Sequence, residues 1–248
     1  MLVNKDNIFC MLPVGRYETS KRIDNFMEKN FTIFVKARLF RESILKDKTS
    51  YFFARNGMHC GLSTIISNED KILIQLNYWF INDKDEKVSK HVTYSLPKKL
   101  ESEFNEYIII NDDDNKKMHL YFNSEFVAEI EYNGLKKLPY TDSLIWLGCG
   151  NMITEDEHKN IGSFEYELLF GLNRCISIDE INDVKNNYKS KYLEIETFNG
   201  LPVLNKIIPH KENYKIFCDF KNLTDYKIWD ITGIGNYFQF YIENNIYF

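Results

Sequence analysis

The chain has 248 residues, 44% apolar and 15% aromatic, with a formal net charge of −5 drawn from both signs. That is enough apolar material for one full core, and all-β sandwiches of this length are commonly a single domain. The charge balance excludes the basic stripe of a nucleic-acid binder, and no apolar run approaches the ~20 residues of a membrane helix.

The N-terminal MLVNKDNIFCML is interrupted by charge and does not read as a signal peptide. The expectation is a cytoplasmic chain or a fragment of a larger protein. Cys10, Cys60, Cys149, Cys175 and Cys218 are odd in number and widely spaced, with no C-x2-C pair. They read as reduced thiols rather than a disulfide framework or a zinc site. Heavy use of Lys, Asn and Ile suggests a bacterial or viral source.

The dominant hydrophobic period is two. In FTIFVKARLF (31–40), Phe31, Ile33, Val35, Ala37 and Leu39 share one face. YFFARN (51–56) and GLSTIIS (61–67) follow as strands. In KILIQLNYWF (71–80), Ile72, Ile74, Leu76, Tyr78 and Phe80 alternate with Leu73, Gln75, Asn77 and Trp79. Strands are then predicted at 91–96, 105–110, 118–123, 126–132 and 144–148, separated by turn-rich segments such as NDDDNKK. Many short alternating runs between turn signals indicate an all-β sandwich or barrel.

One helix is predicted near 177–190. Ser177 and Glu180 have capping-box spacing, and Ile178, Ile181, Val184 and Tyr188 recur with helical period. It reads as a surface appendage over a sheet edge or one end of the sandwich. Strands resume at 214–220, 226–232 and 236–248.

Four blocks, in order, resemble the laminin-G-like and concanavalin-A-like jelly rolls. FTIFVKARLF resembles that family's opening strand. EYIIINDDDNKKMHLYFNSEFVAEIEY (106–132) resembles its central unit, with Ser124 where the family usually has Gly. SLIWLGCGN (143–151) and FEYELLFGLNRCISIDEI (164–181) resemble the later strands and the turn into the helix. The segment IFCDFKNLTDYKIWDITGIGN (216–236) resembles the family's leader, which normally precedes the opening strand. The expectation is a single β-sandwich over 1–248, with a core at 31–190. Strands at 214–248 either complete that sandwich, as in a permuted domain, or begin a further repeat.

The resemblance implies an antiparallel sandwich and a non-catalytic, lectin-like carbohydrate-binding module, with attachment to a larger bacterial surface-polysaccharide protein as the expectation. Its partners would be oligosaccharides and other domains of the same polypeptide. The alternatives are a structural or protein-interaction module and a divergent glycan-active enzyme. Catalysis of glycoside hydrolysis needs two carboxylates across the bond. Glu165 with Glu167 and Glu194 with Glu196 are only two-carboxylate remnants, read as solvent-facing charges. No G-x-S-x-G elbow or P-loop is present. The histidines are scattered, and a metal site joining His59, Cys60 and His119 is a weak alternative.

For glycan contact the candidates are Gln75, Asn77 and Trp79 on one strand and Tyr237, Gln239 and Tyr241 on the last, which supply aromatic faces and amides. Trp146 and Trp229 read as core. Calcium, which many relatives bind, suits oxygen ligands. Asp230 with Asn236 is its candidate pair, while Asp112, Asp113 and Asp114 read as turn residues.

Overall fold

The structure is a computed structural model. It describes residues 27–39, 41, 44, 49–51, 53–55, 60–138, 147–148 and 164–186 with their side chains, and the backbone alone of further short strands and of positions 52, 145, 146 and 187.

Two antiparallel sheets face each other. The eight-stranded sheet runs β1 (Val3–Asn4), β2 (Ile8–Cys10), β14 (Phe164–Leu172), β4 (Phe31–Leu39), β9 (Asn105–Asp112), β10 (Lys117–Phe122) and β11 (Glu125–Glu131), with β17 (Tyr214–Asp219) also on β14. The ten-stranded sheet runs β12 (Lys136–Lys137), β7 (Ile72–Ile81), β6 (Cys60–Ile66), β5 (Ser50–Arg55), β13 (Ile145–Leu147), β3 (Arg16–Thr19), β20 (Tyr237–Tyr241), β19 (Lys227–Trp229) and β18 (Leu223–Thr224). Strand β8 (Lys87–Ser95) also pairs with β7, and β15 (Ile195–Phe198) pairs with β16 (Leu201–Leu204) as a separate hairpin. This is an antiparallel β-sandwich of the jelly-roll kind. The tail segments reach both sheets: β17 pairs with β14, and β20 pairs with β3.

Period-two alternation fills the space between the sheets. Phe31, Ile33, Val35, Ala37 and Leu39 of β4 are buried there, against Ile72, Ile74, Leu76, Tyr78 and Phe80 of β7. Tyr107, Ile109, Met118, Leu120 and Leu169 extend the same core. Burying side chains of this size stabilises by about 1.5–3 kcal/mol each.

The middle of the eight-stranded sheet is apolar on its other face too. Phe34, Ile108, Ile110, Leu168, Phe170 and Leu172 form a second cluster, with Phe34 and Phe170 stacked at 4.7 Å. Strands buried on both faces read as nearly continuous apolar runs, which accounts for IIIN and ELLFGL.

Helix α1 (Ile178–Asn187), the single α-helix among the described residues, covers this face through Ile181 and Val184. It therefore lies on the sheet's flat outer face rather than over an edge or an end. Ser177 caps it, its hydroxyl accepting the Glu180 N–H at 3.1 Å. The Glu180 carboxylate turns to the Arg174 guanidinium. Lys185 ties the last turn to Glu106 at 2.6 Å.

Both open edges on one side of the sandwich are guarded. Lys90, on the inward row of edge strand β8, donates to the Glu131 carbonyl of edge strand β11 at 2.6 Å. Inward charges of this kind discourage pairing with foreign strands.

The β10–β11 hairpin turns on two residues, Asn123 (φ 49°) and Ser124 (φ 69°). Two positive φ values give the primed turn that matches strand twist, for which glycine suits the second position. A serine there costs about 1 kcal/mol, partly offset by its Oγ bond to Asn182 Oδ1 at 3.3 Å. Ser124→Gly is expected to stabilise the fold by about 0.5 kcal/mol, read as a higher urea midpoint with an unchanged m-value.

Candidate functional site

Three of the glycan candidates, Gln75, Asn77 and Trp79, fall on the outer face of the ten-stranded sheet. Ile72, Ile74, Leu76, Tyr78 and Phe80 point into the core, so Gln75, Asn77 and Trp79 point out. Antiparallel pairing sets Gln75 opposite Thr93, Asn77 opposite His91 and Trp79 opposite Ser89. Ser89, His91 and Thr93 are exposed, and Gln75 and Trp79 are half-buried. The result is a strip of indole, amide, imidazole and hydroxyl groups on β7 and β8.

Asn77 differs from its neighbours. It is 8% exposed, and its Nδ2 donates to the Tyr51 Oη at 3.1 Å. Tyr51 reaches it by lying across Gly61, where a Cβ would come within 2.7 Å of the ring. Burial raises the Tyr51 phenol above its ordinary value, the Asn77 bond opposing this. Tyr51 escaped the sequence reading because its partner is 26 residues away. The available signal was the isolated glycine in CGLSTII, since a glycine inside a strand marks close approach.

Tyr237, Gln239 and Tyr241 lie on β20 of the same sheet, and their side chains lie outside the described residues. One register row joins the two groups: Asn77 pairs with Gly61, Gly61 with Ala54, Ala54 with Trp146, Trp146 with Glu18 and Glu18 with Gln239. The five strand spacings between β7 and β20 span about 24 Å, so the two groups share a row and are not brought into contact. Position 146 alternates with the core residue Leu147. Trp229 pairs with Tyr237. The side chains of Trp146 and Trp229 lie outside the described residues, as do Asp230 and Asn236.

The acidic turn is occupied by protein donors. Asp112 accepts from Asn115 at 2.7 and 3.0 Å, Asp114 accepts from Asn30 at 3.1 Å, and Asp113 binds Lys137 at 2.9 Å and the Tyr132 hydroxyl at 3.0 Å. Lys137 also donates to the carbonyls of Glu28 and Lys29. The three carboxylates serve separate partners and do not converge as ligands. Among the described residues no three His, Cys, Asp or Glu side chains gather into a metal set. Cys60 is buried in the core, while His119 lies on the outer face of the other sheet beside Glu129.

Glu165 and Glu167 are matched by cations of β4. Glu165 pairs with Arg38, and Glu167 with Lys36 at 3.2 Å. Cys175 is half-buried and donates to the Asn111 carbonyl at 3.0 Å. Burial pushes its thiol up to about 11.

A second strip, not foreseen from the sequence, lies on the outer face of β10 and β11. Lys117, His119 and Tyr121 stand opposite Glu131, Glu129 and Phe126. His119 Nε2 is 2.8 Å from Glu129 Oε2, and Lys117 reaches Glu129 at 2.9 Å and Glu131 at 3.1 Å. The Lys117 bond holds the Glu129 carboxyl below its usual range. Phe126 is 56% exposed and makes edge contacts with His119 and Tyr121, both at 5.7 Å between ring centres. Ser89, Lys90, His91 and Val92 of β8 face Glu129, Ile130 and Glu131 across a groove of about 510 Å³.

With this geometry in place, the backbone is similar to two solved structures. One is a proposed carbohydrate-binding protein from Bacteroides ovatus, at 12% identity and TM-score 0.57, covering 93% of this chain and 58% of that one. The other is the native heptameric SAP-like pentraxin from Limulus polyphemus, at 10% identity and TM-score 0.52, covering 74% of this chain and 83% of that one. The likeness is one of fold. It sets the chain among jelly-roll β-sandwiches. No protein-family model and no curated protein matches the chain. Among the described residues no helix is long and apolar enough to cross a membrane, which says nothing of a β-barrel.

The Asp113–Lys137 contact has a pH signature. Burial works against the Asp113 carboxylate, but the Lys137 bond and charge and the Tyr132 bond outweigh it, holding the group below its ordinary value. A lowered folded pKa means the contribution is complete above the unfolded value of about 3.9 and is lost as pH falls through the lower folded value. Asp113→Asn is therefore expected to lose stability at neutral pH and to show a shallower fall below about pH 4 in urea denaturation.

Proposed function

We propose that the chain is a non-catalytic carbohydrate-recognition module and that the β7–β8 face meets the glycan. The observation carrying this is the half-buried Trp79, set in line with Gln75 and beside the exposed Ser89, His91 and Thr93. An indole offers a face to the C–H side of a sugar ring, while amides and hydroxyls answer its hydroxyls. The fold shared with a proposed carbohydrate-binding protein supports the reading.

On this reading Asn77 does not touch the ligand but holds Tyr51 in place. Tyr237, Gln239 and Tyr241 serve a separate stretch of an extended glycan, since one ring cannot reach both ends of a row about 24 Å long. The tail strands close the same sandwich, and Asp230 with Asn236 remains the pair for calcium. The module would belong to a larger bacterial surface-polysaccharide protein.

Trp79→Ala is expected to weaken binding to the best oligosaccharide on a glycan array by roughly tenfold or more, with a modestly lower melting temperature and a cooperative melt, since Trp79 is half-buried. Retained affinity removes Trp79 from the site. Binding to no glycan, together with specific oligomerisation, favours a structural module instead.

A further inference from the structure

The β10–β11 strip carries a second argument. In FVAEIEY, strict alternation puts Phe126 on the same face as Ile130 and Tyr132, which are 3% and 1% exposed in the core. The observed register breaks between Leu120 and Tyr121: Leu120 pairs with Ala128, but Tyr121 pairs with Phe126. Val127 is the extra residue and packs with the inter-sheet core. A bulge of this kind re-aims the side chains beyond it. It turns Phe126 out of the core and onto the face of His119 and Tyr121. Among the described residues Phe126 is the one large apolar side chain left exposed.

Its surroundings are ordered and acidic. Glu129 is fixed by Lys117 and His119, Glu131 by Lys117, and Glu125 is exposed at the near end of the strand. Lys117 is engaged by two carboxylates, and Lys90 across the groove by the Glu131 carbonyl, so the three carboxylates outnumber the two ammonium groups. Carboxylates accept hydrogen bonds from hydroxyls and repel anions. Glu129 also lines the open groove of about 510 Å³ between β8 and β11.

We propose that Phe126, Glu129 and this groove form a second carbohydrate-contact site, specific for neutral pyranose rings. The ring's C–H face stacks on Phe126 and its hydroxyls donate to Glu129. Phe126 and Glu129 lie on the opposite sheet from Trp79, and the groove between them and Ser89 and His91 is where the two strips meet, which makes the module bivalent. The inference rests on the carbohydrate reading given above.

The test is titration of the whole chain with neutral oligosaccharides (cellotriose, maltotriose and chitotriose) and with acidic digalacturonate. Wild type, Phe126→Ala, Phe126→Tyr and Trp79→Ala are compared by calorimetry and saturation-transfer NMR, with sedimentation at the same concentrations. Phe126 is mostly exposed, so its truncation should leave the melting temperature unchanged. The expected result is a site for a neutral trisaccharide weakened roughly tenfold in Phe126→Ala. It is retained in Phe126→Tyr and Trp79→Ala, and digalacturonate is excluded from it. Glycan binding that Trp79→Ala removes and Phe126→Ala leaves intact overturns the second site alone. Binding of digalacturonate dependent on Phe126 overturns the assignment to neutral sugars. Self-association abolished by Phe126→Ala with sugar binding unchanged shows a contact between copies and overturns the sugar site. A wild-type chain that binds none of these sugars and nothing on the array overturns both readings.

Discussion

A sheet that is apolar on both faces has to be covered twice, and the architecture follows from that demand. Strands β4, β9 and β14 carry large side chains to either side. The ten-stranded sheet covers one face, and α1 covers the other through Ile181 and Val184. Leaving Phe34 or Phe170 in water would forfeit about 1.5–3 kcal/mol each, so a helix only ten residues long is fixed by tertiary packing rather than by its own propensity. Ser177, Arg174 and Lys185 then secure its ends.

The same demand decides where chemistry can sit. The centre of the eight-stranded sheet has no surface to spare. Polar groups are left with the outer face of the ten-stranded sheet and with the part of β10 and β11 beyond the contacts of α1 at Ser124 and Tyr121. Both strips lie in those places. They differ in construction: the β7–β8 strip follows from regular alternation, while the β10–β11 strip depends on one inserted residue. Glu129 and His91 stand on the two sides of the groove where the strips approach one another.

Most of the fold was legible in the sequence because period-two burial is a local signal. Phe31 to Leu39 and Ile72 to Phe80 could be assigned faces without knowing their partners. The helix was legible from Ser177 and the spacing of Ile181 and Val184, but its location was not, because the apolar outer face of β4, β9 and β14 emerges only when three distant strands are aligned. The site was less legible. Trp79 and Gln75 could be placed on the outer face, whereas the buried Asn77–Tyr51 bond depends on the β5–β6–β7 register. Phe126 was hidden for another reason: alternation assumes a constant phase, and the Val127 bulge changes it. The Lys137 network was invisible as well, since Lys137 joins the acidic turn to backbone carbonyls that lie 108 and 109 residues from Lys137 itself.

Strand β4 is the meeting point of partners that are distant along the chain. Thr32 pairs with Ile110 on one side and Leu172 on the other, and its hydroxyl donates to the Arg174 carbonyl 142 residues onward. Its backbone edges and apolar faces cannot be satisfied by any neighbour in sequence. Closing such spans must precede the contacts that reward it, and topologies of this kind fold in roughly milliseconds to seconds. On the ribosome, β4 is made early and gains its β14 partner only once residue 172 has emerged. Until then FTIFV is an apolar strand with an unpaired edge, the kind of stretch that a chaperone shelters.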